Sequence, residues 1–421
     1  MNRRDFIKTL GLAAATASMP ASLLANTSGS TKQFLLYITA SGGWDVTYYC
    51  DPKENVAGKP AITNWSTTQR TQKAGNIAYA PIGNNANFFE KHAQKICVIN
   101  GLDLTTVGHV SGRRAFSSGM TGDSHPTVAA ISAASQDIDA GMPYISGSQY
   151  HNSVGLVQVT TVSGSFKDNL RRAAEPQLNP YQTNAGRDHY KLIGDTDYDL
   201  LTRARDARLR RLSNGGQLLI QDKQLVDRLV DFSSDGKSFT NFYQTYMNLP
   251  SGPSDTARVI MAAFASGQAL SADIDQGGYD THSNNDASQT SRLSHLNDTL
   301  DYIWSCAESL GISDQLMVVV GSEFSRTPLY NAGAGKDHWK VGSIMVMGNN
   351  KPWGNRVIGT TDSGHYPHKM NLTTLQRDDE NGQYLTNQHV NLAIRDALGL
   401  TGTKHSDRYN FGALEIPPIF G

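Results

Sequence analysis

The 421 residues carry 37 basic and 38 acidic side chains, with 18% charged residues and 39 glycines. A chain balanced in this way lacks the net positive field that holds a protein to nucleic acid. Its composition is that of a loop-rich globular protein rather than a disordered one, and its length suits one large or two ordinary domains.

The N-terminus reads NRRDFIK, an arginine pair followed by an apolar residue and a lysine. A weakly apolar, Ala-rich stretch over 9–24 follows, short for a membrane span and containing Pro20. This is the pattern of a twin-arginine export signal over 1–25, cleaved near Ala25. It places 26–421 in the periplasm or outside the cell as a single domain with no stable membrane span. The twin-arginine route carries folded proteins, often loaded with cofactor, which is in keeping with a metal acquired before export. Cys50, Cys97 and Cys306 are odd in number and lack CxxC spacing, which points away from a disulfide framework.

Short, near-continuously apolar runs read as strands of a sheet covered on both faces. They are FLLYITA at 34–40, KICVIN at 95–100, a weaker run at 269–274, LMVVV at 316–320 and SIMVM at 343–347. Helical spacing alternates with them, over 126–134, 256–270, 288–310 and 390–398. The third repeats Leu293, Leu296, Leu300, Ile303 and Trp304 and stops at Gly311. This alternation predicts an α/β fold, a three-layer sandwich around a mainly parallel central sheet. Residues 188–247 differ, because Arg203, Arg205, Arg208, Arg210 and Arg211 crowd a Leu-spaced stretch. That segment reads as a helical insertion beside the sheet. Its charges form a solvated face or, as the second reading, a basic face for an anionic partner.

Polar clusters sit just past the apolar runs, where open parallel sheets collect their ligands. SGGWD (41–45) follows the first run and GHVSGRR (108–114) the second. DTH (280–282) follows the weak run, GSEFSRT (321–327) the strongest, and KDHW (336–339) comes soon after. Mixed carboxylate and imidazole suit Zn²⁺, Mn²⁺ or Fe, while carboxylate with carbonyl suits Mg²⁺ or Ca²⁺. Asp280, His282 and His338 form one expected oxygen–nitrogen site, with Gly277 and Gly278 permitting close backbone approach. Asp45 and Glu323, with or without His109, form a second, so one or two divalent ions are expected. The same residues have plainer roles as well: Asp45 as a turn former or cap, Asp337 and His338 as a loop pair held by backbone donors. Arg326 either grips an anionic substrate in bidentate fashion or pairs with Glu323.

Taken together, the arginine pair, GGWD, GGYDTH, SEFSRTP and DHW resemble the exported bacterial domain-of-unknown-function family 1501 over nearly the whole mature chain. That family is regarded as a relative of the alkaline phosphatase and sulfatase superfamily. The resemblance implies an α/β sheet carrying one or two metals and a nucleophile at a helix N-terminus. By it, Asp45 stands for the Asp after the first strand, Asp280 and His282 for an Asp and a His on one metal, and His338 for the final His ligand. Glu323 stands for the Asp of an S-D-H-G turn; Asp337, outside the resemblance, is expected as a metal residue or as an outer or substrate contact. Two departures mark this chain. Phe324 occupies a ligand position, and His109 occupies the place of a Cys, Ser or Thr nucleophile at the head of HVSGRRAFSSG (109–119). His109 is then a replacement ligand, a nucleophile in its own right, or packing; Ser111 and the Asp123–Ser124 pair are shifted alternatives.

The expected function is that of an exported metal-dependent hydrolase acting in one step on a small or polymeric phosphate or sulfate ester or a related anionic group. His109, Ser111 and Arg326 are its candidate catalytic residues, and Asp45, Asp280, His282, Glu323, Asp337 and His338 its candidate metal residues. The rival expectation is a non-catalytic exported factor that keeps the fold for assembly or secretion of a co-exported partner protein. No GxGxxG follows a strand, which sets a dinucleotide oxidoreductase aside. Specificity is expected in the loops at 50–90, 140–190 and 350–385, where His365 and His368 read as surface loop residues.

Overall fold

The computed structural model describes residues 32–136, 140–175, 177, 193–214 and 236–421. The export signal expected over 1–25 and the middle of the expected insertion lie outside the described residues. From Gln33 onward the chain forms one compact unit.

An eight-stranded sheet organises that unit. Its strands in chain order are β1 Phe34–Ser41, β2 Ile96–Asp103, β3 Tyr144–Gly147, β4 Val159–Thr161, β5 Ser271–Gly277, β6 Leu316–Gly321, β7 Val341–Gly348 and β8 Arg356–Ile358. They lie in the order β8-β2-β7-β6-β1-β5-β3-β4. The flanking helices are α1 Asn85–His92, α2 His109–Ser118, α3 Val128–Ser135, α4 Phe166–Ala174, α5 Asp195–Asn214, α6 Gly236–Asn248, α7 Asp255–Ala265, α8 Asn285–Ser309 and α9 Asn387–Ala397.

The central strand shows why the apolar runs are continuous. All eight residues of β1 are buried, because successive side chains enter opposite faces and both faces are covered. Phe34, Leu36, Ile38 and Ala40 join one core with Val259, Ile260 and Leu296 of α7 and α8. Leu35 and Tyr37 join the other with Phe116 of α2, Ile131 of α3 and Ile394 of α9. Each fully buried aliphatic or aromatic side chain contributes about 1.5–3 kcal/mol of transfer free energy, so the alternation locks the register: a one-residue slip exchanges the two sets. The three-layer, mainly parallel arrangement expected from the sequence is the one observed.

Parallel pairing joins β1 to β5 and β6, β3 to β4 and β5, and β2 to β8. The exception is β7, antiparallel to both β2 and β6. A reversed strand is entered at the edge where its neighbours end, so residues just before β7 reach the carboxyl edge of the sheet. That carries His338, three residues before β7, to the same edge as the turns after β1, β5 and β6.

The structure adjusts several expected boundaries. The helix expected over 256–270 ends at Ala265, and the weak strand runs Ser271–Gly277. That strand reads weakly because Asp273 and Asp275 interrupt it. Asp273 is nonetheless buried, and the Ser146 hydroxyl (2.5 Å) and the Tyr144 phenol donate to its carboxylate. Strands β3, β4 and β8 were not expected; each has three or four residues, too few to show a period. Within the expected insertion, α6 packs on α4 and α7. The five arginines of α5 are exposed, with Arg205 3.1 Å from Asp206, as a solvated face requires. Among the described residues no helix is long and apolar enough to cross a membrane.

Candidate metal centre

The turns after β1, β5 and β6 are welded together by close backbone approach. Gly42 and Gly43 follow β1 with φ of +118° and +90°. A Cβ on Gly42 would fall 2.3 Å from the Asp280 nitrogen, and one on Gly43 would fall 2.5 Å from the Phe324 ring. Glycine is needed here for both conformation and space. The Gly42 N–H donates to Glu323 Oε1 at 2.7 Å, and the Ser322 hydroxyl donates to the Ala40 carbonyl at 2.6 Å.

Asp280, His109, His282 and His338 meet at this edge. The Nε2 atoms of His282 and His338 lie 3.1 and 3.3 Å from Asp280 Oδ1, and His109 Nε2 lies 3.5 Å from Asp280 Oδ2. His282 Nε2 and His338 Nε2 are 3.1 Å apart. Ligand atoms of His109, Asp280 and His338 all lie within 4.8 Å of one another. The other nitrogen of each ring is committed. His338 Nδ1 lies 2.7 Å from the Val107 carbonyl, His282 Nδ1 lies 2.9 Å from Asp337 Oδ1, and His109 Nδ1 lies 3.0 Å from Glu323 Oε1. All three partners are acceptors, so each Nδ1 carries the proton and donates it. With Nδ1 as the protonated nitrogen of a neutral ring, it is the Nε2 lone pairs that would face the Asp280 carboxylate. Lone pairs facing lone pairs repel; a cation at their meeting point reverses the sign. The N₃O donor set fits a borderline divalent ion such as Zn²⁺, Mn²⁺ or Fe²⁺ better than Mg²⁺ or Ca²⁺, which prefer oxygen alone.

The supporting layer follows from the same turns. Phe324 stacks on His338 with ring centroids 4.0 Å apart and meets His109 edge-on at 4.9 Å. Phe324, at a ligand position by the resemblance, thus packs on two of the clustered histidines. Arg326 is fully buried with all three nitrogens hydrogen-bonded: it donates to the carbonyls of Gly42, Gly43 (3.0 Å) and Lys336 (2.9 Å), and to Asp280 Oδ1 at 2.6 Å. Burial pushes the Asp280 carboxyl up, but the Arg326 guanidinium outweighs it and holds the group below the usual carboxylate range. The hydrogen bond from His282 likewise holds Asp337 low.

Several expected roles are corrected by this geometry. Asp45 is fully buried and its oxygens are occupied: Lys336 Nζ (2.7 Å) and Asn285 (3.0 Å) donate to Oδ2, and the Thr47 hydroxyl (2.6 Å) to Oδ1. It caps the short 3₁₀ turn Val46–Tyr48, the plainer of its two expected roles. Glu323 and Asp337 orient His109 and His282 rather than facing the donor cluster, as carboxylates behind ligating histidines do. Asp45 and Glu323 are thus held by other partners, and His109 lies instead with Asp280 and His338. Arg326 pairs with Asp280, neither with Glu323 nor open to a substrate. Ser111 shares a 2.7 Å hydrogen bond with Thr106 and makes none to the cluster. Asp123 pairs with Arg114, and Ser124 lies 3.1 Å from His125. His368 lies 3.1 Å from Asp379 in its loop, whereas His365 is fully buried, against its reading as a surface residue.

Two contributors escaped the sequence reading. Lys336 is fully buried against Asp45, and its backbone N–H donates to the Thr281 carbonyl at 3.0 Å, tying the His282 turn to the His338 turn. Arg113 lies one helical turn beyond His109 on the same face of α2, with a terminal nitrogen 2.7 Å from Gln149 Oε1 and the other 4.0 Å from Glu323. Both lie inside the polar clusters read from the sequence, GHVSGRR (108–114) and KDHW (336–339), but nothing in the sequence gave either one this role.

No curated protein matches the chain. Among solved structures it is similar to Ps i-CgsB at 8% identity, with a TM-score of 0.40, covering 93% of this chain and 76% of that one. It is similar to the alkaline phosphatase from the Antarctic bacterium TAB5 at 12% identity, with a TM-score of 0.34 and coverage of 78% and 95%. It is similar also to the putative sulfatase yidJ from Bacteroides fragilis at 10% identity, with a TM-score of 0.36 and coverage of 92% and 78%. The family described as proteins of unknown function, DUF1501, matches residues 32–378, and the chain belongs to it.

Proposed function

We propose that the protein is a metal-dependent hydrolase of phosphate or sulfate esters that holds one divalent cation through His109, Asp280, His282 and His338. One observation carries this reading: each of the three imidazoles has Nδ1 against an acceptor, on Glu323, Asp337 or the Val107 carbonyl, while its Nε2 converges on Asp280. A divalent ion held there supplies Lewis-acid polarisation of an ester oxygen. Glu323 and Asp337 keep their imidazoles in the ligating tautomer, Phe324 fixes two ring planes, and Arg326 fixes the Asp280 carboxylate. Arg113 is the residue placed to receive the anionic part of the substrate, because its guanidinium stands one turn from His109 and is only loosely paired with Glu323. His109, placed as a ligand, is not free to attack as a nucleophile, which favours one-step hydrolysis by water. The motif resemblance supports the ester class, and the N-terminal arginine pair supports export to the periplasm.

The test is to purify the mature chain, measure bound metal, and assay aryl phosphates and aryl sulfates. About one ion per chain, with turnover abolished in His282→Ala, is expected. A folded protein without metal overturns the reading. Stoichiometric metal without turnover of any ester favours instead a non-catalytic exported factor that keeps the centre for a partner protein.

A further inference from the structure

Away from the metal centre, α9 presents Asn387, Asn391 and Arg395 at four-residue intervals, hence on one face. All three are buried, with exposures of 3%, 2% and 1%. Arg395 donates one terminal nitrogen to the Tyr409 carbonyl at 2.7 Å. Its Nε and its other terminal nitrogen have no partner, nor does either polar atom of the Asn391 amide. Helix α3 packs against α9 and carries Ser132, fully buried with an unpartnered hydroxyl. No ion pair joins Arg395 to a carboxylate among the described residues; the titratable group it feels is the Tyr37 phenol. Asp396, next to it in sequence, is exposed and accepts from Thr401. The Phe411 ring, 5.1 Å from the guanidinium carbon, covers one side.

A guanidinium removed from water without a counter-charge is among the costlier arrangements in a protein interior. The Asn391 amide, on the same face of α9, and the Ser132 hydroxyl of α3, which packs against α9, lack partners and offer donors, and the Tyr37 phenol lies within electrostatic reach of Arg395. We infer that the buried face of α9 binds a small monovalent inorganic anion of the halide type, held by Arg395 and Asn391. The charge follows from the bookkeeping: one guanidinium neutralises one negative charge, whereas a phosphate or sulfate would leave a buried excess. The size follows from enclosure, since Arg395, Asn391 and Ser132 are nearly or wholly buried. The site is independent of the metal centre and of the proposed hydrolase activity.

The probes are chloride and bromide, with gluconate as control, on the full mature chain at constant ionic strength. The protein should melt about 3 °C higher in halide when the halide is near one hundred times its dissociation constant. Arg395→Met should remove the difference between salts, and Asn391→Leu, which keeps the guanidinium, should reduce it. Bromide-grown crystals should show anomalous scattering within hydrogen-bonding reach of Arg395. Equal melting of the wild-type protein in all three salts, or a bromide-free site containing ordered water, overturns the inference. If Arg395→Met does not fold, the wild-type salt series and the bromide map decide it alone.

Discussion

Replacing Lys336 with Met tests the assignment of Asp45 as a brace rather than a ligand. Both side chains are fully buried, with Nζ 2.7 Å from Oδ2. Removing the ammonium leaves the Asp45 carboxylate in the interior with only neutral donors, from Thr47 and Asn285. Breaking a buried pair from one side in this way costs about 3–5 kcal/mol. Unfolding a compact unit of roughly 390 residues changes entropy by about 0.8 kcal/mol/K, so the melting temperature should fall about 4–6 °C. The double variant Asp45→Asn, Lys336→Met carries no buried charge and should recover much of that loss. Calorimetry with a chelator present removes any contribution from metal binding, and a separate metal analysis should find the double variant as loaded as the wild type. A fall below about 1 °C in the single variant, or a double variant as unstable as the single, refutes the buried-pair reasoning. A folded double variant that no longer binds metal would return Asp45 to the ligand set.

Three further outcomes follow. Glu323→Gln keeps the shape and an acceptor for the Gly42 N–H but removes the charge behind His109; metal affinity should drop about 10–100-fold, or 1.4–2.7 kcal/mol, in chelator competition. His365 is fully buried with both ring nitrogens unpartnered and Asp51 only within 3.5 Å, and burial pushes its pKa down from 6.5 to about 4. The fold therefore prefers the neutral ring. The associated stability is complete above pH 6.5 and is lost as pH falls toward 4, up to about 3 kcal/mol, and His365→Asn should flatten that acid limb in denaturant titrations. Burial, partly offset by donation from Ser146 and Tyr144, raises Asp273 from 3.8 to about 7. Its folded form prefers the proton, so this contribution is complete below pH 3.8 and is lost as pH rises toward 7; Asp273→Asn should remove that slope.

Much of the frame was legible in the chain itself. A buried strand has to be apolar on both faces, so β1, β2, β6 and β7 announced themselves as unbroken runs. The turns bearing Asp280, His282 and His338 stood out because glycine pairs and metal-type side chains recur where such strands end. Short edge strands such as β4 and β8 gave no signal, having too few residues to set a period.

Local pattern thus determined the layered α/β class, the strands at its centre and the set of polar turns from which a site had to be chosen. Which members of that set face one another was settled only when β7 ran backwards and brought His338 to the edge shared by Asp280, and when α2 began at His109 beside Glu323. The tertiary structure also turned Asp45 toward Lys336, Arg326 toward Asp280 and Phe324 onto two histidines. The reason is physical: residue type and spacing fix what a side chain is able to do, but its partner is fixed by atoms hundreds of residues away, and burial then decides whether a charge serves as a brace or as a ligand.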